Sequence, residues 1–284
     1  MEYAGVVAAC GPDCKAIKVG DRVCGVQDVA MKKSPGTWTE QTMAPEGDVV
    51  AIPAGVEITF VEAAAVGMGA LVAGDMYKRA KLATATGGAS QRCLVLGASG
   101  GLGTALLKLL RQHPGARPHV TAVCRGANAE LVRRLGADEA VDYQQGPFGE
   151  QLSGAEKFDL VFDFVGGKDT ERGAMPLLKR GGKFITAVGP LQAIGDRQLS
   201  CGEWFGWCCG LTCSMLACCG PTYEMAGGMP PLQAKDFAAV AVDAGVRAEV
   251  ALELPFAEAP LREALRRVAS RHTGGKVVIN MERE

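Results

Sequence analysis

A glycine-rich segment between an apolar run and an amphipathic helix constrains the fold of this chain more than any other feature. Residues 93–112 read CLVLGASGGLGTALLKLLRQ, and the apolar run 94–96 ends directly at Gly97. A strand, a tight turn and a helix in this order form the first half of a βαβ unit. Glycines allow close backbone approach to a ligand, and the free N–H groups at the helix start favour an anion. The segment therefore predicts a pyrophosphate-binding turn in a parallel α/β sheet.

The turn departs from the usual GxGxxG pattern, because Ala98 stands at the position of the first glycine. A second strand over 120–124 follows the helix, and this βαβ context is what the motif requires. We predict that the phosphate contacts are made by Ala98, Ser99, Gly100, Gly101, Leu102 and Gly103. A glycine-rich turn that only connects two core elements is the alternative.

Composition narrows the class of protein. A length of 284 residues exceeds one typical domain and predicts two. The net charge of −1 and the absence of a long basic run argue against a nucleic-acid partner. The 11 cysteines include no CxxC pair, and the histidines lie far in sequence from the cysteine cluster over 208–219. This spacing predicts reduced thiols rather than a zinc finger. The first residues read as a strand and not as a secretory signal.

One segment is a candidate for a membrane-spanning helix. Residues 204–223 are uncharged and, as a helix, long enough to cross a bilayer. Several glycines and Pro221 interrupt the segment, and Glu203 and Glu224 flank it in place of basic residues. We therefore predict a buried or dimer-facing segment and no transmembrane span, with a membrane-associated protein as the alternative.

The remaining pattern changes along the chain. Short strands and turns, including a strand over 36–43, predict a small β-barrel-like region at the start. Residues 60–83 are helical in pattern, and from residue 92 strands alternate with helices. This alternation predicts a doubly wound parallel sheet. Near the end, a helix that begins at Pro260 precedes a strand over 276–280.

An ordered set of segments resembles the medium-chain dehydrogenase/reductase superfamily, in its zinc-independent, quinone-oxidoreductase-like branch. The matching segments are residues 5–7, 19–23, 36–40, 97–103, 135–138, 141–143, 163–167 and 274–279. Residues 135–143 and the tail are similar to the reticulon-interacting NADPH oxidoreductases. The resemblance implies an α/β fold, with a Rossmann-type doubly wound parallel sheet and a GroES-like, β-barrel-type catalytic domain. We expect that catalytic domain to be incomplete, because strands that usually precede the segment matching Met1 are missing.

The resemblance also implies a domain division and an activity. Residues 1–68 are expected to be the partial catalytic domain, 69–225 the dinucleotide-binding domain, and 226–284 a segment that returns to the catalytic domain. The implied reaction is zinc-independent hydride transfer from NADPH to a quinone or an α,β-unsaturated carbonyl. A catalytically silent NADPH-binding protein is the alternative, since residues 67–73 lack the Ser or Thr often found there. A homodimer is consistent with the family, in the cytoplasm or in an organelle if a transit peptide lies upstream.

Cofactor preference depends on the end of the second strand. NAD-specific sites usually place an acidic residue there, whereas this strand ends with Cys124, Arg125 and Gly126. A guanidinium can pair with the 2′-phosphate, so Arg125 predicts NADPH, with a solvated loop cation as the alternative. We also predict cofactor contacts from residues at strand ends and, by resemblance, from one tyrosine and the tail. These residues are Tyr143, Val165, Gly166, Gly189, His272, Thr273 and Gly274. No metal ligand set and no catalytic residue is assigned.

Overall fold

The computed structural model describes residues 2–27, 36–82, 90–190, 220–226, 234–243 and 245–281. The chain forms two compact units. Unit 1 comprises Met1–Gly74, Gly100–Ala105 and Gly228–Glu284, and unit 2 comprises Asp75–Ser99 and Leu106–Gly227.

The secondary structure follows in chain order. The strands are β1 (Glu2–Val6), β2 (Arg22–Val26), β3 (Val49–Ala51), β4 (Arg92–Leu96), β5 (His119–Cys124), β6 (Glu139–Asp142), β7 (Phe158–Asp163), β8 (Leu178–Thr186), β9 (Thr222–Met225), β10 (Val250–Pro255) and β11 (Lys276–Asn280). The α-helices are α1 (Phe60–Met68), α2 (Gly74–Ala80), α3 (Gly101–Arg111), α4 (Ala129–Leu135), α5 (Phe148–Gln151), α6 (Lys168–Ala174), α7 (Ala234–Phe237) and α8 (Glu258–Ala269). A π-helical turn, Gly69–Ala73, joins α1 to α2.

Unit 1 contains two small sheets. Strands β1, β2 and β3 form an antiparallel sheet in that order, and β10 pairs with β11 in parallel. Helix α1 packs against β1 and β11. It begins at Thr59, whose hydroxyl accepts from the Glu62 N–H while the Glu62 carboxylate accepts from the Thr59 N–H. This reciprocal capping fixes the start of the helix that supports both sheets.

Unit 2 is built on a six-stranded parallel sheet with the order β6-β5-β4-β7-β8-β9. Leu96, at the end of β4, lies opposite Val123 on one side and Asp163 on the other. This order is that of a doubly wound sheet, in which the order of successive strands reverses between β4 and β7 while the strands stay parallel. The predicted parallel sheet is therefore confirmed, and its carboxyl edge at β4 and β7 is the expected ligand edge.

Burial explains why the strands of unit 2 read as continuous apolar runs. The core residues include Leu94 and Leu96 from β4, Phe158 and Val161 from β7, and Phe184 from β8. A parallel sheet covered on both faces requires apolar side chains at successive positions rather than at alternate ones. This requirement explains why the sequence of unit 2 contains short, uninterrupted apolar runs, with glycines between them.

The predicted strand over 36–43 is wrong. Those residues form bends. The Gln27 side-chain amide donates to Thr42 Oγ1 at 3.0 Å and to the Met43 carbonyl at 2.8 Å, and the Thr42 hydroxyl donates to the Gly36 carbonyl at 3.4 Å. Polar side chains thus satisfy backbone groups that a strand ladder would otherwise pair.

Two further expectations concern helices. Helix α8 begins at Glu258 rather than at Pro260, and the proline still lies in the first turn, where its missing N–H is not needed. Residues 204–219 of the uncharged segment lie outside the described residues. Within the described part, the helical run Phe60–Ala80 has the length and composition of a membrane span, and 56% of its most apolar window is buried. Such burial is typical of a core helix.

Candidate functional site

The turn after β4 packs closely against the loop after β7. Gly97 has a φ of +75°, and a Cβ atom at this position would lie 3.1 Å from Val165 Cγ2 and 3.4 Å from Phe164 Cβ. Both the backbone conformation and the close approach favour glycine. The structure therefore brings the first part of the predicted phosphate turn together with Val165, another predicted site residue.

Two buried polar side chains order the loops at the carboxyl edge of unit 2. Asp163 Oδ1 accepts from the N–H groups of Val165 and Gly166, each at 2.9 Å. The Thr186 hydroxyl donates to Asp163 Oδ2 at 2.7 Å and accepts from the Gly189 N–H at 2.8 Å. Three predicted residues on two loops are thus fixed by one carboxylate–hydroxyl pair, which we call the Asp163–Thr186 pair.

Sequence reasoning missed this pair, although each member occupies a recognisable position. Both side chains bond to N–H groups two and three residues ahead, as Asx and ST turns do. Burial raises the pKa of Asp163, and the hydrogen bonds from Gly166, Thr186 and Val165 oppose that rise. An acidic or hydroxyl residue at the end of a buried strand, followed by glycine, is the sequence signal that could have identified them.

A second cluster lies after β5. The Asn128 side-chain amide donates to Ser99 Oγ at 3.1 Å, which connects the turn after β4 to the start of α4. Arg125, which directly follows β5, has a buried Nε with no hydrogen-bond partner among the described residues. Buried donors are nearly always paired in folded proteins. An unpaired guanidinium donor at the ligand edge is therefore suited to an anionic ligand group.

An acidic residue lies close to this cluster without neutralising it. A Cβ atom on Gly126 would lie 2.3 Å from Asp142 Oδ2, and Asp142 Oδ1 accepts from the Gln144 N–H at 2.9 Å. No ion pair of Arg125 is found within the part of the chain that the structure describes. Tyr143, which follows Asp142, is 42% exposed; its predicted role at the adenosine end stays a prediction.

The rest of the predicted turn belongs to unit 1, where the side chain of Lys276 lies against the start of α3. A Cβ atom on Gly101 would lie 2.7 Å from Lys276 Cδ. The Lys276 ammonium group pairs with the Glu2 carboxylate, and Glu2 Oε1 accepts from the Met68 N–H at 2.7 Å. Sequence reasoning missed both charged residues, because the first and last strands meet only in the folded chain.

The predicted tail residues form the turn that leads into β11. His272 is exposed, the Thr273 hydroxyl donates to the Gly275 carbonyl at 2.7 Å, and Gly274 has a φ of +68°. The turn directly precedes Lys276, which contacts Gly101. The structure thus brings the strand after the tail turn to the helix start, while contacts of His272, Thr273 and Gly274 with a ligand stay a prediction.

Unit 1 also contains a cavity of about 1460 Å³. Its wall is formed by β1, the loop over 7–14, residues 37–44, α1 and β11, and includes the aromatic side chains of Trp38 and Phe60. Among the described residues, no group of three or more His, Cys, Asp or Glu side chains could hold a metal ion.

Comparisons with known proteins agree on one family. The family model described as zinc-binding dehydrogenase matches residues 135–279. The human mitochondrial NAD(P)H oxidoreductase RTN4IP1 is 33% identical over 296 residues, which cover 99% of this chain and 69% of that protein. The trans-enoyl reductase pgmF of Aspergillus terreus is 33% identical over 213 residues, covering 73% of this chain and 57% of that protein.

A solved structure extends this agreement to the fold. The quinone oxidoreductase from Coxiella burnetii matches with a TM-score of 0.74 at 18% identity, covering 99% of this chain and 78% of that one. The predicted combination of a doubly wound sheet with a second, β-rich catalytic part is therefore confirmed as a fold.

Proposed function

Because the chain belongs to the medium-chain dehydrogenase/reductase superfamily, in its quinone-oxidoreductase-like branch, we propose that it is an NADPH-dependent reductase of quinones or α,β-unsaturated carbonyls. Its relatives include an NAD(P)H oxidoreductase and a trans-enoyl reductase, so the general class is that of a nicotinamide-dependent oxidoreductase. NADPH and the acceptor class are the finer parts of the proposal.

The observation that carries the NADPH proposal is the buried, unpaired Nε of Arg125. This residue follows β5, where a 2′-phosphate would be recognised in a doubly wound sheet. A phosphate oxygen would provide the missing acceptor and a compensating charge. The carboxylate of Asp142 accepts from a backbone N–H instead, so the guanidinium remains available to the ligand.

The residues around the turn fit the pyrophosphate of the same cofactor. The N–H groups at the start of α3 have no intrahelical acceptor and favour an anion. We propose that Ala98, Ser99, Gly100, Gly101, Leu102 and Gly103 contact the pyrophosphate. The Asp163–Thr186 pair would position Val165, Gly166 and Gly189 along the same cofactor, with further contacts from Tyr143, His272, Thr273 and Gly274.

The bound cofactor would supply the hydride, and the protein would supply orientation and a dry environment. We propose that the acceptor enters the cavity of unit 1, whose aromatic side chains Trp38 and Phe60 suit a planar, apolar molecule. These aromatic side chains would shield the reacting carbon atoms from water on their side of the cavity. The proposed reaction uses no zinc.

Domain division, assembly and location remain part of the proposal. We propose residues 1–68 and 226–284 as the catalytic part and 69–225 as the dinucleotide-binding part, in a protein that can form a homodimer. Location in the cytoplasm or an organelle is proposed, with support for an organelle from the mitochondrial relative.

The test is a pair of binding titrations followed by an acceptor panel. We expect NADPH to bind the purified chain at least about tenfold more tightly than NADH, the effect of one charge-assisted contact. NADPH oxidation by quinones or enones would then establish turnover. Tight NADPH binding without turnover over the panel would favour the catalytically silent alternative, which the absence of Ser and Thr from 67–73 motivates. Equal or no binding of both cofactors would contradict the proposal.

A further inference from the structure

A β-turn in unit 1 brings two cysteines together at the wall of the cavity. The Cys14 N–H donates to the Gly11 carbonyl at 3.2 Å, which closes a four-residue turn with Pro12 and Asp13 in its centre. Proline favours the first central position of such a turn, because its ring fixes φ. Cys10, immediately before the turn, therefore lies beside Cys14, at its end.

The two sulfur atoms share a neighbour. Cys10 Sγ and Cys14 Sγ each lie 3.4 Å from the carbonyl oxygen of Ile17. Their separation can therefore be no more than twice that distance, so both sulfur atoms lie beside the same carbonyl oxygen. The two thiols also interact with each other, and Cys10 contributes to the raised pKa of Cys14.

The two thiols differ from the other described cysteines in their accessibility. Cys10 is exposed and Cys14 is partly exposed, whereas Cys24, Cys93 and Cys124 are buried. Burial raises the pKa of Cys24 to about 12, so its reactive thiolate is scarce at neutral pH. An oxidant in solution would therefore reach Cys10 first among the described cysteines.

One carboxylate holds the segment that carries Cys14. Glu46 Oε1 accepts from the N–H groups of Lys15, Ala16 and Ile17 at 2.8, 2.5 and 3.3 Å. The Cys14 thiol donates to the same oxygen at 3.1 Å. This hydrogen bond, followed by desolvation and the neighbouring Cys10, raises the pKa of Cys14 to about 11. Because the three backbone bonds do not use the thiol, oxidation of Cys14 would leave the segment attached to Glu46.

We propose that Cys10 and Cys14 form a redox-sensitive dithiol site that low-molecular-weight disulfides, such as oxidised glutathione, convert to an intramolecular disulfide. The Cys10 thiolate attacks one sulfur of glutathione disulfide, forms a mixed disulfide and releases one glutathione thiolate, which takes up the proton. The Cys14 thiolate then attacks the Cys10 sulfur and releases the second glutathione. Two protein thiols are oxidised, and one disulfide is reduced to two thiols.

The experiment uses the full chain and redox buffers of increasing oxidised-to-reduced glutathione ratio. After alkylation and trypsin digestion, Cys10 and Cys14 fall on one peptide, residues 1–15, that contains no other cysteine. We expect this peptide to lose two hydrogen atoms and to resist alkylation. A synthetic peptide of residues 1–15 is the reference, and the folded chain should form the disulfide with an equilibrium constant at least about fivefold larger, because the turn is preformed.

Two variants identify the order of the steps. Cys14→Ser should stop the reaction at a glutathione adduct on Cys10. Glu46→Gln should keep the backbone hydrogen bonds while removing the charge beside Cys14, so the mixed disulfide should disappear faster than in the unmodified chain. The proposal is overturned if the peptide from the folded chain carries only glutathione or stays reduced, or if it forms the disulfide no better than the synthetic peptide.

Discussion

At the scale of single residues, Arg125 decides between the two nicotinamide cofactors. We expect Arg125→Ala to weaken NADPH binding about 10- to 150-fold, the equivalent of one charge-assisted hydrogen bond, and to leave NADH binding unchanged. Isothermal titration calorimetry measures both constants. Arg133→Ala is the matched control, because it removes the same charge from an exposed position on α4. An equal loss for both cofactors would assign Arg125 to the fold rather than to the 2′-phosphate.

Also at the scale of single residues, the hydrogen bonds that Glu46 accepts should depend on pH. Hydrogen bonds from Ala16, Cys14, Lys15 and Ile17 lower the pKa of this carboxyl from 4.5 to about 2. Because the pKa is lowered in the folded state, the hydrogen bonds of the Glu46 carboxylate stabilise the fold at a pH above the ordinary pKa. This stabilisation is lost as the pH falls toward 2. The Ala16 amide proton, followed by NMR, should titrate with a midpoint near 2. A midpoint near 4.5 would contradict the attachment, and Glu46→Gln should show no titration.

At the scale of secondary-structure elements, the loop after β7 depends on a glycine that two neighbours enclose. Gly166 has a φ of +72°, and a Cβ atom there would lie 2.4 Å from Val188 Cγ1 and 2.9 Å from the Gly189 carbonyl oxygen. Gly181 is the matched control, since its φ is +76° and a Cβ atom would meet nothing within 4 Å. The two glycines therefore share a backbone conformation and differ in their surroundings.

We expect both alanine variants to lose stability, and Gly166→Ala to lose more. The left-handed backbone alone costs an alanine about 1–2 kcal/mol, and overpacking at Gly166 adds about 1–3 kcal/mol. Urea unfolding of the two variants measures the difference. Equal losses would mean that the loops after β7 and β8 separate readily, contrary to the hydrogen bonds of the Asp163–Thr186 pair.

At the scale of the whole molecule, cofactor binding should appear as stability. A ligand at one hundred times its dissociation constant stabilises the folded state by about 2.7 kcal/mol, which corresponds to about 5–10 °C in Tm for a domain of this size. Differential scanning calorimetry should show this shift with NADPH and a smaller one with NADH at the same concentration. In Arg125→Ala the two shifts should become equal. An unchanged Tm with saturating NADPH would contradict the proposed cofactor site.

The sequence predicted the parts of this molecule that depend on neighbouring residues. The apolar run of β4, the glycine turn before α3 and the alternation of strands and helices after residue 92 follow from local patterns, because burial and φ are short-range requirements. The strand expected over 36–43 failed for the opposite reason. Its alternating pattern was overridden by bonds from Gln27, a residue outside the segment.

Only the tertiary structure decided which distant residues meet. Thr186 pairs with Asp163 because β7 and β8 are neighbours in the sheet, and Lys276 meets Glu2 because the first and last described strands pack around α1. Cys14 and Glu46, which are 32 positions apart in the sequence, are likewise brought together by the fold. A local pattern determines where a strand, turn or helix forms. The partner of a charged or hydroxyl side chain is determined by the order of the strands in the folded chain. The glycine turn before α3 could therefore be predicted from the sequence, and the polar pairs around it could not.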